Sequence, residues 1–455
     1  MKMCGKIWKK LLIVVTIIVM LSGAGLILIR TWIFSKMSPD ERAHYHEWSS
    51  KPLHFNPSDI EALPFEMETK RAAIKFREEW DKYEKSAIEI AREYNKHIRG
   101  EKSDAESTKT ISLEEELPKL EPLIQAFERL VERDDYEIDA LVEGEDRVVN
   151  SMIPSANFLQ FQVNMKILGL KAWLFVNDGK TSEALQIAKT MIRASKSHLY
   201  ATLISQLIVI AGHSMGTEIW HYIIARCDDP ELIRRALMRQ NGLVPKKGFL
   251  PPGIDLMISD NIGTIRKAQR YGIPSDIDGK TGREIMGEWF RVEAEYLENI
   301  IPGSGPSKTY GTENQASGFR VNSAMFGGEV KDIRSFSARL FSPVICPFIF
   351  RVMAPNFVEA QIREKAVLAK YDLLRLFTAK KLYLLEHKKE PKNMEDLVPE
   401  YIPELLIDPF TEKEPFRKES FFYSIGPDKI DQKGGLLYDP TNGTVTPGDI
   451  FLFSE

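Results

Sequence analysis

The sequence predicts a mainly α protein, an irregular helical bundle that ends in a small α+β module and begins with one apolar transmembrane helix. Three observations carry that expectation. Between residues 38 and 387, block after block repeats apolar side chains every three or four positions, the period of a helix with one buried face. From Pro391 onward the pattern changes to short aromatic and β-branched runs, Phe421-Phe422-Tyr423 and Leu436-Leu437-Tyr438, punctuated by Gly, Pro and Asp as short strands and turns are. Residues 11–29 contain no charge at all.

Taken in order, residues 1–10 form a basic segment with Lys2, Lys6, Lys9 and Lys10, which favours keeping this end cytoplasmic. The apolar run 11–29 spans roughly 28 Å as a helix and matches a bilayer core. Ser22-Gly23-Ala24 offers a signal-peptide cleavage site as the alternative, although Leu26-Ile27-Leu28-Ile29 continues the apolar run past it. Either way the remainder is expected outside the cytoplasm, and without cleavage the chain crosses its membrane once.

Residues 38–355 read as one extracytoplasmic helical domain. Ala73, Phe76, Trp80, Tyr83, Ala87, Ile90, Ala91 and Tyr94 share one helical stripe, and Leu120, Leu123, Ile124, Phe127, Leu130 and Val131 another. The polar stretch 100–110 between them reads as an exposed loop. Leu168, Ala172, Phe175, Gly179, Ala184, Leu185, Ala188 and Met191 have the spacing of one tetratricopeptide-like hairpin, with Gly179 at the turn. No second copy follows near a 34-residue period, so a bundle is expected rather than a repeat array. The segments 242–253 and 302–328 are rich in Gly, Pro, Ser and Asn and read as excursions around a further helix near 283–299.

The module 356–455 starts with a helix from about Asn356 to His387, with Ile362, Ala366, Ala369, Leu373, Leu376 and Phe377 on its apolar side, closed by Pro391. Three or four short strands following a long helix can bury one sheet face against it. The order Leu397-Val398-Pro399, Asp408-Pro409-Phe410, Tyr423-Ser424-Ile425-Gly426-Pro427-Asp428 and Gly448-Asp449-Ile450 resembles the globular domain of the type II secretion major pseudopilins, the protein G family of the general secretion pathway. The resemblance covers about 90 residues, one fifth of the chain. It implies an assembly or binding role, and a calcium-binding loop after the Tyr-Ser-x-Gly strand, for which Asp428, Asp431, Asp439 and Asp449 supply candidate carboxylates. Asp, Asn and Gly are also ordinary turn residues. The chain departs from that family in having no Glu within 11–29 and no pilin-type cleavage motif there, with some 330 residues intervening before the module. As a whole it resembles large, membrane-anchored, mostly helical bacterial exported proteins.

Composition narrows the partners. Net charge is −4, with 61 basic and 65 acidic residues intermixed, so no basic face advertises nucleic acid. Cys4, Cys227 and Cys346 form no metal or redox motif; pairing of the last two, and the oligomeric state, stay open. The expected function is therefore non-catalytic: an envelope binding or assembly protein, held by its N-terminal helix, with envelope protein partners and calcium as the one cofactor implied. The alternative is a serine hydrolase. Gly212-His213-Ser214-Met215-Gly216 fits a nucleophile elbow with Ser214 as nucleophile and His387 as base, if residues 207–211 form a strand. Read instead as helix, Ile204, Leu207, Ile208, Ala211, Met215 and Ile219 give an apolar stripe.

Overall fold

A computed structural model describes residues 31–37, 39–55, 60, 64–98, 112–142, 158–240, 248–251, 254–270, 272–299, 330–411, 413–439 and 446–452. The basic segment, the apolar run 11–29 and most of the excursions at 100–110, 242–253 and 302–328 lie outside them. Among the described residues no helix is long and apolar enough to cross a membrane.

The structure is mostly helical. In chain order the main helices among the described residues are α1 (Pro39–Ser50), α2 (Met67–Ala91), α3 (Tyr94–Ile98), α4 (Glu121–Val131), α5 (Phe158–Asn177), α6 (Thr181–Ala194), α7 (Leu203–Ala225), α8 (Pro230–Gln240), α9 (Ile254–Arg270), α10 (Gly282–Asn299) and α11 (Val330–His387). The chain divides into two compact units that interleave in sequence, one from 1–62, 151–153 and 252–357, the other from 63–150, 154–251 and 358–455. The stretch 38–355 contributes residues to both units.

In the first unit α9 packs on α10 and α10 on α1. Leu53 exchanges backbone hydrogen bonds with the turn before α10, its N–H reaching the Lys280 carbonyl at 3.0 Å and its own carbonyl accepting from Gly279 at 2.8 Å. Gly282 lies against the Trp48 indole, where a Cβ would collide with the ring.

In the second unit the expected stripes on the helices 67–91 and 121–131 are buried for the most part, Tyr83 being half-buried. α2 hides Ala73, Phe76, Trp80, Ala87, Ile90 and Ala91, and α4 hides Leu123, Ile124, Phe127, Leu130 and Val131. The Phe76 and Phe127 rings meet at 5.3 Å where the two helices pack. Each fully buried Leu, Ile or Phe contributes about 1.5–3 kcal/mol, which outweighs the weaker local helix propensities. α5 and α6 form a hairpin whose turn holds Gly179 at φ 74°, with Ala172 and Ala184 fully buried. α7 packs on both. Three helices therefore share one core in place of a stacked repeat.

α7 is fixed at both ends. The Thr202 side chain accepts from Ser205 N–H at 3.3 Å as an N-cap, and the Ser205 hydroxyl donates to buried Asp139 at 2.7 Å. At the other end the Lys381 ammonium, on α11, donates to the Ile224 and Ala225 carbonyls at 2.9 and 2.7 Å, placing positive charge where the helix dipole favours it. The stripe expected on α7 needs correcting: Ile204 is exposed, Ala211 and Met215 are half-buried, and His213, Gly216, Thr217 and Trp220 are buried instead.

Residues 358–387 of α11 bury Ala366, Ala369, Leu373 and Leu376, and the helix ends at His387, with Lys388 in a left-handed conformation. Beyond it the expected sheet of three or four strands is smaller. Strands β1 (Arg417–Lys418) and β2 (Phe422–Tyr423) form an antiparallel pair, and isolated bridges join Ile407 to Pro415, Ser424 to Ile450 and Leu437 to Asp449. Side-chain hydrogen bonds take over where a longer ladder was expected.

Candidate functional site

The densest polar construction in the terminal region is built on Asp408. Its carboxylate is fully buried and accepts from the Phe410 N–H at 3.0 Å, the Ser424 hydroxyl at 2.8 Å and the Ile425 N–H at 3.0 Å. Its backbone closes a loop, with the N–H donating to the Glu414 carbonyl and the carbonyl accepting from Thr411. Burying a charge in this way is tolerable only because each oxygen is met by donors. The two segments it joins are Asp408-Pro409-Phe410 and Tyr423-Ser424-Ile425-Gly426. Gly426 has φ 71° and presses on the Gly448 carbonyl, so neither its conformation nor its contact admits a Cβ.

A turn-rich loop follows, folded around three carboxylates. Asp428 accepts from Ile430 N–H at 3.1 Å, from the Gln432 side-chain amide at 2.7 Å and from Gly448 N–H at 3.3 Å. Asp431 accepts from Lys433 N–H at 2.8 Å and from the Tyr423 hydroxyl at 3.0 Å. Asp449, fully buried, accepts from Gly434 N–H at 2.7 Å and Gln432 N–H at 3.4 Å. Burial holds the Asp449 carboxyl above the usual carboxylate range; the two amides pull it down, while the charges of Asp431 and Asp428 push it further up. Tyr423 is likewise raised, by burial and then by its bond to Asp431. Asp439 contributes its carbonyl, which accepts from the Thr446 hydroxyl at 3.1 Å.

Three of the four candidate calcium ligands therefore share one loop. Among the described residues no three acidic, His or Cys side chains stand close enough to hold a metal ion as they are placed. The donor set nonetheless suits a hard cation: carboxylate oxygens of Asp428, Asp431 and Asp449, together with Gln432 Oε1, a buried oxygen with no hydrogen-bond partner.

Ser214 and His387 are placed far apart. Ser214 sits half-buried in mid-helix, because residues 203–225 are one unbroken helix and residues 207–211 are part of it. The strand-to-helix turn that exposes a nucleophile is not formed there. Phe377 meets the His221 ring edge-on and Lys381 reaches Ala225, so the two helices run in the same direction, and His387 lies beyond the end of the serine's helix. Ser214 precedes Ala225 by roughly 16 Å of helical rise. His387 itself is not simply solvated: its Nε2 is 3.0 Å from the Tyr401 hydroxyl, which donates to Glu386 at 2.7 Å, and its ring stacks on Tyr383 at 4.3 Å. Glu386 also pairs with Arg234. Cys227 is a buried free thiol, raised by burial; the side chain of Cys346 lies outside the described residues.

The chain matches no family model, no curated protein and no solved structure. Sequence reasoning passed over Gln432, Glu364 and His213. For the first, a Gln two positions before a Gly-Gly turn and among three Asp residues was the available signal.

Proposed function

We propose that the protein is a membrane-anchored, extracytoplasmic binding or assembly protein of the bacterial envelope, non-catalytic, whose residues 356–455 act as a pseudopilin-like module linked to secretion-type machinery. One observation carries the reading: Asp408 ties the Asp-Pro-Phe segment to the Tyr-Ser-x-Gly segment through three hydrogen bonds. Motifs 16 residues apart are thereby parts of a single built object rather than scattered turn residues. The N-terminal run 11–29 supplies the anchor in this reading, and calcium is the proposed ligand of the Asp428, Asp431 and Asp449 loop, with Gln432 Oε1 as a further oxygen.

Ile430 and Leu436, on the same loop, are 62% and 48% exposed and so accessible to a crosslinking side chain. A photo-crosslinking residue at Ile430 or Leu436 in the full-length chain, expressed in its membrane, should give one discrete adduct that a Asp408→Ala chain loses. No adduct at either position, or adducts indifferent to Asp408, would count against the reading. Fractionation tests the anchor separately: the full chain should sediment with membranes and a chain lacking residues 1–30 should not.

A further inference from the structure

One face of α7 carries His213, Thr217 and His221 on successive turns, each with a sealed and unpartnered polar atom. The His213 ring is buried at 4.4 Å from the Phe249 ring, and the His221 ring stands edge-on to Phe377 at 4.5 Å. His213 Nδ1, Thr217 Oγ1 and His221 Nε2 are all sealed from solvent with no hydrogen-bond partner among the described residues. The two phenylalanines belong to different elements. Phe249 lies in the 248–251 segment, which is clamped to α11 by the Glu364 carboxylate accepting from the Phe249 and Leu250 N–H groups at 2.5 and 2.8 Å. Phe377 lies on α11 itself.

We propose that this face is an acid-operated seam: protonating His213 and His221 drives the 248–251 segment and the 358–387 stretch of α11 off α7, freeing the C-terminal module from the helical bundle.

An imidazolium would be a buried charge at His213 and a half-buried one at His221, each facing an aromatic ring with no carboxylate partner among the described residues. The charged groups of the surrounding elements are engaged elsewhere. On α11, Glu364 holds the two amides, Asp372 pairs with Arg375 at 3.1 Å and Lys381 caps α7. On α5, Lys171 pairs with Glu121, and Lys166 has its own contact; α6 carries Glu183, Lys189 and Arg193, the last bonded to the Glu132 carbonyl. Asp139 holds Ser205 at the head of α7. On α7 itself Glu218 accepts from Tyr94 at 3.3 Å, and Arg226 stacks on Tyr222 at 3.8 Å and opposes a charge on His221. Desolvation pushes both imidazoles down to about 4, a weak backbone hydrogen bond to Ser195 acting the other way on His213.

The sign follows. A ring that stays neutral when packed and protonates when opened leaves the closed form at full strength above its ordinary value near pH 6.5, and weakens it progressively as pH falls towards 4. Between pH 7 and pH 5 the opening equilibrium should grow roughly 20-fold for each imidazole. Glu364 works in the opposite sense, since burial raises its carboxyl and the closed form takes up that proton, so the net effect is smaller than the sum.

The test is hydrogen exchange on the full-length chain, corrected for intrinsic rates, at pH 7 and pH 5. Amides of 249–250 and 371–378 should open at least about 10-fold more at the lower pH, and His213→Asn/His221→Asn should cut that to less than about threefold. Should the double variant fail to fold, imidazole resonances of the wild-type chain decide, with midpoints below about 5 expected. Equal opening at the two pH values, acid sensitivity retained in the double variant, or imidazole midpoints near the ordinary value overturns the seam.

Discussion

Replacing Asp408 by Ala removes the acceptor for two buried backbone donors, Phe410 N–H and Ile425 N–H, and for the Ser424 hydroxyl. The hydroxyl can turn to another partner, and its oxygen already accepts from Gly426 N–H at 3.2 Å, so the two amides dominate the loss. Each buried donor left unpaired costs about 1–3 kcal/mol, which gives about 2–6 kcal/mol for Asp408→Ala. That is a large part of the 5–15 kcal/mol typical of a whole domain, enough to open the terminal loops while the helices persist. Asp408→Asn separates the contributions. Its amide oxygen can still serve Phe410 and Ser424, but its NH2 then faces Ile425 N–H, and the loss should be about 1–3 kcal/mol. Hydrogen exchange at Phe410 and Ile425, followed alongside urea unfolding of the full chain, measures both. Protection of these two amides within a factor of about two of wild type in Asp408→Ala would refute the hub, since 1.4 kcal/mol is already tenfold.

Five further outcomes are expected. Gly212→Ala should lower stability by about 1–3 kcal/mol by driving a methyl into Phe161 and Ser195, read as a fall in the melting midpoint. Ser214→Ala, at a half-buried helical position, should change stability by no more than about 0.5 kcal/mol. The same pair tests the hydrolase alternative, because a fluorophosphonate probe should label neither wild type nor Ser214→Ala; labelling of the wild type alone would reinstate it. Glu364→Ala strands the Phe249 and Leu250 amides and should make the 248–251 segment the first site of limited proteolysis, at a local cost of about 2–6 kcal/mol. Calcium at 100 times its dissociation constant should stabilise the terminal loop by about 2.7 kcal/mol, reversed by chelator, with Asp449→Asn abolishing the shift.

Where a helix was legible in the sequence, it was because its apolar stripe was narrow and its other faces charged. Residues 120–131 offer one choice of buried face, and the structure buries those side chains. α7 is apolar almost all round, so the pattern could establish a buried helix but not which residues point into the core, and Ile204 was read as inward when it is exposed. Histidine and threonine on such a helix look like surface residues until neighbours such as Phe249 and Phe377 are placed. The interleaving of the two units rests on contacts such as Leu53 with Lys280, far apart in the chain and without periodicity to announce them. At the terminal site, the segments that Asp408 joins were legible as ordered motifs. The carboxylates of the following loop were also legible, but not their partners: Gly434, Gly448 and Gln432 matter through backbone amides and one side-chain oxygen, which any residue type or a common turn residue can supply.

The second unit also has a consequence for the order in which the chain is made. Gln240 donates its side-chain amide to Thr378 and its carbonyl receives the Tyr371 hydroxyl, while Phe249 and Leu250 wait for Glu364. A nascent chain that has emerged only to residue 357 therefore presents the 63–251 segments with these acceptors and donors still open to water. Completion is withheld until the last fifth of the polypeptide arrives, so a prematurely terminated product would betray itself by exposed core and invite degradation.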